Sequence, residues 1–119
     1  MIRLRQIALI APDVDPVVDE LRDALGIEVC FHDPGVAEFG LRNALLLVGD
    51  QFLEVLSPIE ADTAVGRLLA KRGGPGGYMV IHEVDDLDTR IDQLARHGVR
   101  VVWAGDFPGI RGRHLHPRD

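Results

Sequence analysis

Several function classes need features that this sequence has little of. There is one cysteine in 119 residues, Cys30, so no internal disulfide can form. Its place in an apolar strand predicts a buried structural thiol, and a reducing, cytoplasmic setting is the matching expectation. Aromatics are limited to one Trp, one Tyr and four Phe, too few to stack well against a large planar drug. Positive charge is also scarce: 13 Lys and Arg against 19 Asp and Glu leave a net charge of −6. Nucleic-acid phosphates demand a basic surface, so that partner class is not expected. The short run RGRHLHPR reads as a solvated or substrate-facing strand. No apolar run reaches the roughly 18 residues of a membrane span, and MIRLRQIALIAPD alternates like a strand instead of resembling a signal segment. The run RGGPGG lacks the Lys-Ser or Lys-Thr ending of a phosphate loop and reads as a linker. No Ser-His-Asp or Cys-His set can be assembled by spacing.

What the chain does contain is a repeated unit. IRLRQIALIAP predicts a strand and DVDPVVDELRDAL a helix, with Asp15 as N-cap, Pro16 at the first helical position and Gly26 as the stop. IEVCFH predicts a second strand, followed by a DPG turn. NALLLV and FLEVLS form two more around the tight-turn pair Gly49-Asp50. After a short helix, TAVGRLLAKR, the order starts again: YMVIHEV as strand, DLDTRIDQLARH as helix, then VRVVW and IRGRHLH as strands. An offset of 73 residues lays Val14, Val18 and Leu21 onto Leu87, Ile91 and Leu94, Asp13 onto Asp86, and Gln6 onto Met79. Such internal repetition is stronger fold evidence than local propensity. The expectation is an α+β chain of two tandem βαβββ modules, 1–58 and 76–119, joined by a linker helix at 59–75. The counterpart of Glu54 would fall beyond residue 119, so the second module is expected to lack its last strand. A homodimer is the matching expectation, with an interface that uses the first strand, the fifth strand or this incomplete edge.

Strand alternation picks out the candidate site. Side chains two apart share a face, which groups Gln6 with Ala8, Phe52 with Glu54 and Leu56, and Met79 with Ile81 and Glu83. Ile7 and Leu9 are assigned to the opposite, helix-covered face. A carboxylate between Phe52 and Leu56 is either simply solvated or, if buried, an acid/base group or ligand. Glu54 is therefore the candidate catalytic residue. Gln6, Phe52, Met79 and Ile81 are candidate ligand-binding neighbours in a concave cavity, with His114 and His116, which share one strand face, added to them. His82 is expected to be packed under a helix, and His32 and His97 to lie at the surface.

The paired βαβββ units resemble the vicinal oxygen chelate superfamily of glyoxalases, bleomycin-resistance proteins, extradiol dioxygenases and methylmalonyl-CoA epimerases. The stretch FLEVLSPIEADTAVGRLLAKRGGPGGYMVIHEVDDLD, with LHPRD near the end, is most similar to the epimerase branch. The resemblance implies a curved, cupped mixed sheet. It also implies a divalent metal held by a histidine on the first strand, an acidic or amide residue on the fourth, a histidine on the fifth and a glutamate on the eighth. Here those positions read Gln6, Glu54, Met79 and none, so no metal or other cofactor is expected. Asp33 is a loose candidate for the epimerase's second carboxylate. Three functions follow as expectations. The first is a degraded-metal-site domain that binds or acts on a small, acyl-thioester-like molecule. The others are a metal-dependent isomerase or lyase of the glyoxalase or epimerase type, and a non-catalytic dimerisation or regulatory module.

Overall fold

A computed structural model describes all residues, 1–119. The chain resolves into two compact units, residues 3–83 and residues 84–119 with 1–2.

In the larger unit the element order is β1 (Ile2–Ile10), α1 (Val14–Leu25), β2 (Val29–Phe31), a 3-10 turn (Pro34–Phe39), β3 (Leu41–Val48), β4 (Gln51–Pro58), α2 (Ala64–Arg72) and β5 (Gly76–Val84). The strands form one mixed sheet in the order β2-β3-β4-β1-β5. β3 and β4 make the antiparallel hairpin predicted around Gly49-Asp50, while β1 runs parallel to β4. α1 packs Val14 and Val18 with Ala44, Leu46 and Val55. α2 brings Val65 and Leu69 onto a separate cluster of Ala8, Ile10, Leu41 and Leu56. Paired residues on neighbouring strands point to the same side, and the pairs Gln6 with Phe52 and Ala8 with Glu54 therefore confirm the alternation read from the sequence. Leu9 pairs with Val55 on the α1 side, although Ile7 remains 39% exposed there instead of lying under the helix.

Several local expectations are corrected. α1 is capped by Asp13, whose extended backbone lets its carboxylate accept from the Asp15 N–H. Pro16 consequently sits inside the first turn, where a missing N–H costs no helical bond. Asp15 is thereby free to take a 2.8 Å hydrogen bond from Arg42. Cys30 is exposed, because β2 is a three-residue edge strand with no helix over this side chain. His82 is exposed as well, on edge strand β5 beside the outward-facing Val80. The DPG segment becomes a full 3-10 turn that ends at Gly40, whose φ of +71° is the left-handed conformation glycine favours.

The smaller unit holds α3 (Leu87–Arg96) and an antiparallel hairpin of β6 (Val101–Phe107) and β7 (Ile110–Leu115). Asp86 caps α3 through both the N–H and the hydroxyl of Thr89. Arg111 ties β7 to α3 through Asp88 and to β6 through Asp106. No helix in the chain is long and apolar enough to cross a membrane.

Candidate functional site

The site is built on three adjacent strands. β4 presents Glu54, which is only 7% exposed. β1 supplies Gln6, whose Nε2 donates to Glu54 Oε1 at 3.0 Å. β3 supplies Asn43, itself 3% exposed, whose Nδ2 donates to Glu54 Oε2 at 2.6 Å. Both carboxylate oxygens are thus held by neutral amides, and burial is the dominant influence on the group. Burial pushes the Glu54 carboxyl above its ordinary pKa, the bonds from Asn43 and Gln6 pull it partly back, and the charge of Asp33 adds to the rise. Burial and the nearby Glu54 charge likewise raise the Tyr78 phenol.

Asn43 connects this cluster to the loop after β2. Its Oδ1 accepts from the Asp33 N–H at 2.8 Å, and its main-chain carbonyl accepts from His32 Nδ1 at 2.8 Å. Beside it opens a cleft of about 380 Å3 lined by His32, Asp33, Pro34, Ala37, Leu41, Arg42, Asn43 and Ile59. Arg42 leans away toward Asp13 and Asp15, and its hydrogen bond holds the Asp15 carboxyl below the usual range.

Of the residues singled out from the sequence, Gln6 and Glu54 meet directly. Phe52 pairs with Gln6 and lies 5.7 Å beneath the Arg5 guanidinium, while Arg5 also bonds Glu83 at 2.7 Å. Met79 packs against the Ala8–Ile10 cluster under α2. Ile81 is half-buried on β5. None of these five lines the cleft. His114 and His116 belong to the smaller unit. There His114 stacks on Trp103 at 4.5 Å, and burial lowers its pKa. His116 Nδ1 accepts from the Arg118 N–H. Asn43 escaped the sequence reading. Its signal was an amide in the apolar strand NALLLV, where asparagine is disfavoured unless a partner awaits it.

The donor set does not suit a divalent metal. Both Glu54 oxygens are occupied, Gln6 turns its N–H toward them, and the soft Met79 thioether is packed in an apolar cluster. Hard cations prefer several free oxygens, and borderline ones prefer imidazole or thiolate. Nowhere in the chain do three His, Cys, Asp or Glu side chains converge.

Residues 5–115 match the Glyoxalase/Bleomycin resistance protein/Dioxygenase superfamily. The chain belongs to that superfamily. It is 28% identical to the ethylmalonyl-CoA/methylmalonyl-CoA epimerase of Cereibacter sphaeroides, over 98% of this chain and 90% of that one. Methylmalonyl-CoA epimerase from Mycobacterium tuberculosis superposes with a TM-score of 0.84 at 27% identity, covering 97% of this chain and 79% of that one. A Streptomyces coelicolor methylmalonyl-CoA epimerase variant in complex with 2-nitronate-propionyl-CoA gives 0.84 at 30% identity, covering 98% and 88%. The α+β reading as βαβββ modules and the glyoxalase-like assignment therefore stand.

Proposed function

We propose that this glyoxalase-like chain binds a coenzyme A thioester beside the Gln6–Glu54–Asn43 cluster and moves a proton at the carbon α to the thioester carbonyl, without a bound divalent metal. The observation that carries this reading is Glu54, a buried carboxylate held between two amides. Burial raises its proton affinity, which strengthens a carboxylate as a general base, and the two amide bonds oppose that rise by favouring the ionised form. When Glu54 takes the α proton it becomes a weaker acceptor, which leaves the amide N–H groups available to the developing enolate. The ligand class follows from the relatives' names, which are those of epimerases of acyl-CoA substrates. A metal-dependent isomerase is disfavoured by the donor set described above.

The test is solvent exchange. Protein incubated with methylmalonyl-CoA in D2O is expected to wash out the α-hydrogen signal in the proton NMR spectrum, and Glu54→Gln is expected to slow this by about 100-fold or more. Thioester binding with no exchange above the uncatalysed rate would instead make the chain a binding module.

A further inference from the structure

We infer that the thioester this site prefers carries no carboxylate on its reacting carbon: an α-branched acyl-CoA with plain alkyl substituents, in place of a malonyl-type one. The inference rests on the thioester reading above and narrows its substrate class.

Proton removal by Glu54 fixes how close the substrate comes. Reacting atoms sit roughly 3–3.5 Å apart, so a carboxylate bonded to the reacting carbon comes within about 5 Å of the Glu54 oxygens. Methylmalonyl-CoA and ethylmalonyl-CoA, the compounds in the relatives' names, carry such a group. It is ionised at neutral pH. Like charges at that range repel, and the repulsion grows where protein displaces water. Glu54 occupies such a place, at 7% exposure. Taking the proton neutralises Glu54, but the C–H electron pair carries the negative charge onto the thioester enolate, beside the same carboxylate. The repulsion therefore persists along the reaction.

A malonyl-type substrate needs a cation to offset this, and the surroundings of Glu54 act in the opposite sense. Its two oxygens accept neutral amide N–H groups from Gln6 and Asn43. The charge that acts on it is that of Asp33, which is negative and raises its proton affinity further. The arginines next to the two amides in sequence are already committed. Arg5, beside Gln6, bonds Glu83 at 2.7 Å; Arg42, beside Asn43, bonds Asp15 at 2.8 Å and Asp13 at 3.3 Å.

The face itself suits alkyl groups. Phe52 and Leu56 flank Glu54 along β4, and Ala8 is its direct pair on β1, with Ala8 and Leu56 both buried. Tyr78, half-buried against the same apolar cluster, stays neutral, because burial and the Glu54 charge raise its phenol. An alkyl substituent gains from contact with such a surface, whereas a carboxylate gives up its water there without a partner. Rejection through an unpaired charge discriminates more strongly than the fit of one methylene does.

The experiment compares 2-methylbutyryl-CoA with methylmalonyl-CoA, which differ at one substituent of the reacting carbon, ethyl against carboxylate. Washout of the α-hydrogen in D2O gives kcat/KM for each, divided by its own uncatalysed rate, and calorimetric titration gives both dissociation constants. The alkyl thioester is expected to exceed methylmalonyl-CoA by about tenfold or more in each quantity, with methylmalonyl-CoA still exchanging measurably. A ratio near one, or a reversed one, would overturn the inference and leave the thioester reading standing. In Glu54→Gln the repelling charge is gone, and the affinity gap is expected to narrow severalfold. An undiminished gap would assign the preference to shape and overturn the electrostatic basis. The wild-type comparison decides by itself if that variant does not fold. No washout of either thioester by the wild-type protein would refute the thioester reading itself, and this inference with it.

Discussion

Replacing Asn43 by leucine removes two hydrogen bonds from the centre of the site while nearly conserving volume. Glu54 Oε2 loses its 2.6 Å donor although the carboxylate stays buried, a loss of about 2–3 kcal/mol for a bond to a charged group. The Asp33 N–H loses its 2.8 Å acceptor, worth roughly 1 kcal/mol in a part-buried position. Leucine recovers about 1–2 kcal/mol through apolar burial against Leu41 and Leu56. The net expectation is a destabilisation of about 2 kcal/mol at pH 7. The larger part attaches to the ionised form of Glu54, because the lost bond favours that form. As pH falls and Glu54 takes up its proton, the variant should converge on the wild type. Carboxylates such as Asp15 and Asp88, which arginine partners hold below the usual range, stay largely ionised over this interval in both proteins and cancel in the difference. Urea unfolding followed by Trp103 fluorescence at pH 7 and pH 4.5 makes the comparison. A loss of the same size at both pH values, or none at pH 7, would refute the claim that Asn43 supports a buried charge.

Two further outcomes follow from the same geometry. In Glu54→Gln, the new amide oxygen can accept from Asn43 Nδ2, and its N–H can donate to Gln6 after that amide rotates. The folded-state pKa of Glu54 is raised, so its stabilising contribution is complete below the unfolded pKa and is lost as pH rises through the folded one. By chemical denaturation the variant should therefore gain on the wild type as pH rises above the unfolded carboxylate range, and a variant that loses ground with rising pH would contradict this. The β6–β7 hairpin exposes Val102, Phe107 and Ile110, each more than half exposed, on a two-stranded sheet. Such hairpins are marginal alone, and a homodimer is the expected outcome. A persistent monomer across a micromolar light-scattering series would refute it.

Periodicity made the module order and the Glu54 face readable in advance. Gln6, Phe52 and Glu54 share a face because alternation permits nothing else once one of them is assigned, and Gly49 and Gly26 marked the hairpin and the helix end. Features decided by tertiary pairing were not readable. The Gly49-Asp50 turn already implied the register that pairs Leu45 with Glu54 and Asn43 with Leu56; what it did not show is that the Asn43 side chain reaches along the sheet to Glu54. Asp15 was read as the cap, but the extended backbone and the capping bond fall at Asp13, while Asp15 pairs with Arg42. Cys30 and His82 were misplaced because edge strands look like interior ones in sequence, and only the sheet order shows which side chains no helix covers.

The central claim is that Glu54, and no metal ion, carries the proton chemistry of this site. The most direct measurement is α-hydrogen exchange of methylmalonyl-CoA in D2O by protein treated with EDTA and desalted, compared with the same protein supplied with cobalt, nickel or manganese. The account predicts equal exchange rates in all samples and no thermal stabilisation by any of the ions. Exchange that vanishes after chelation and returns with one equivalent of metal would contradict it.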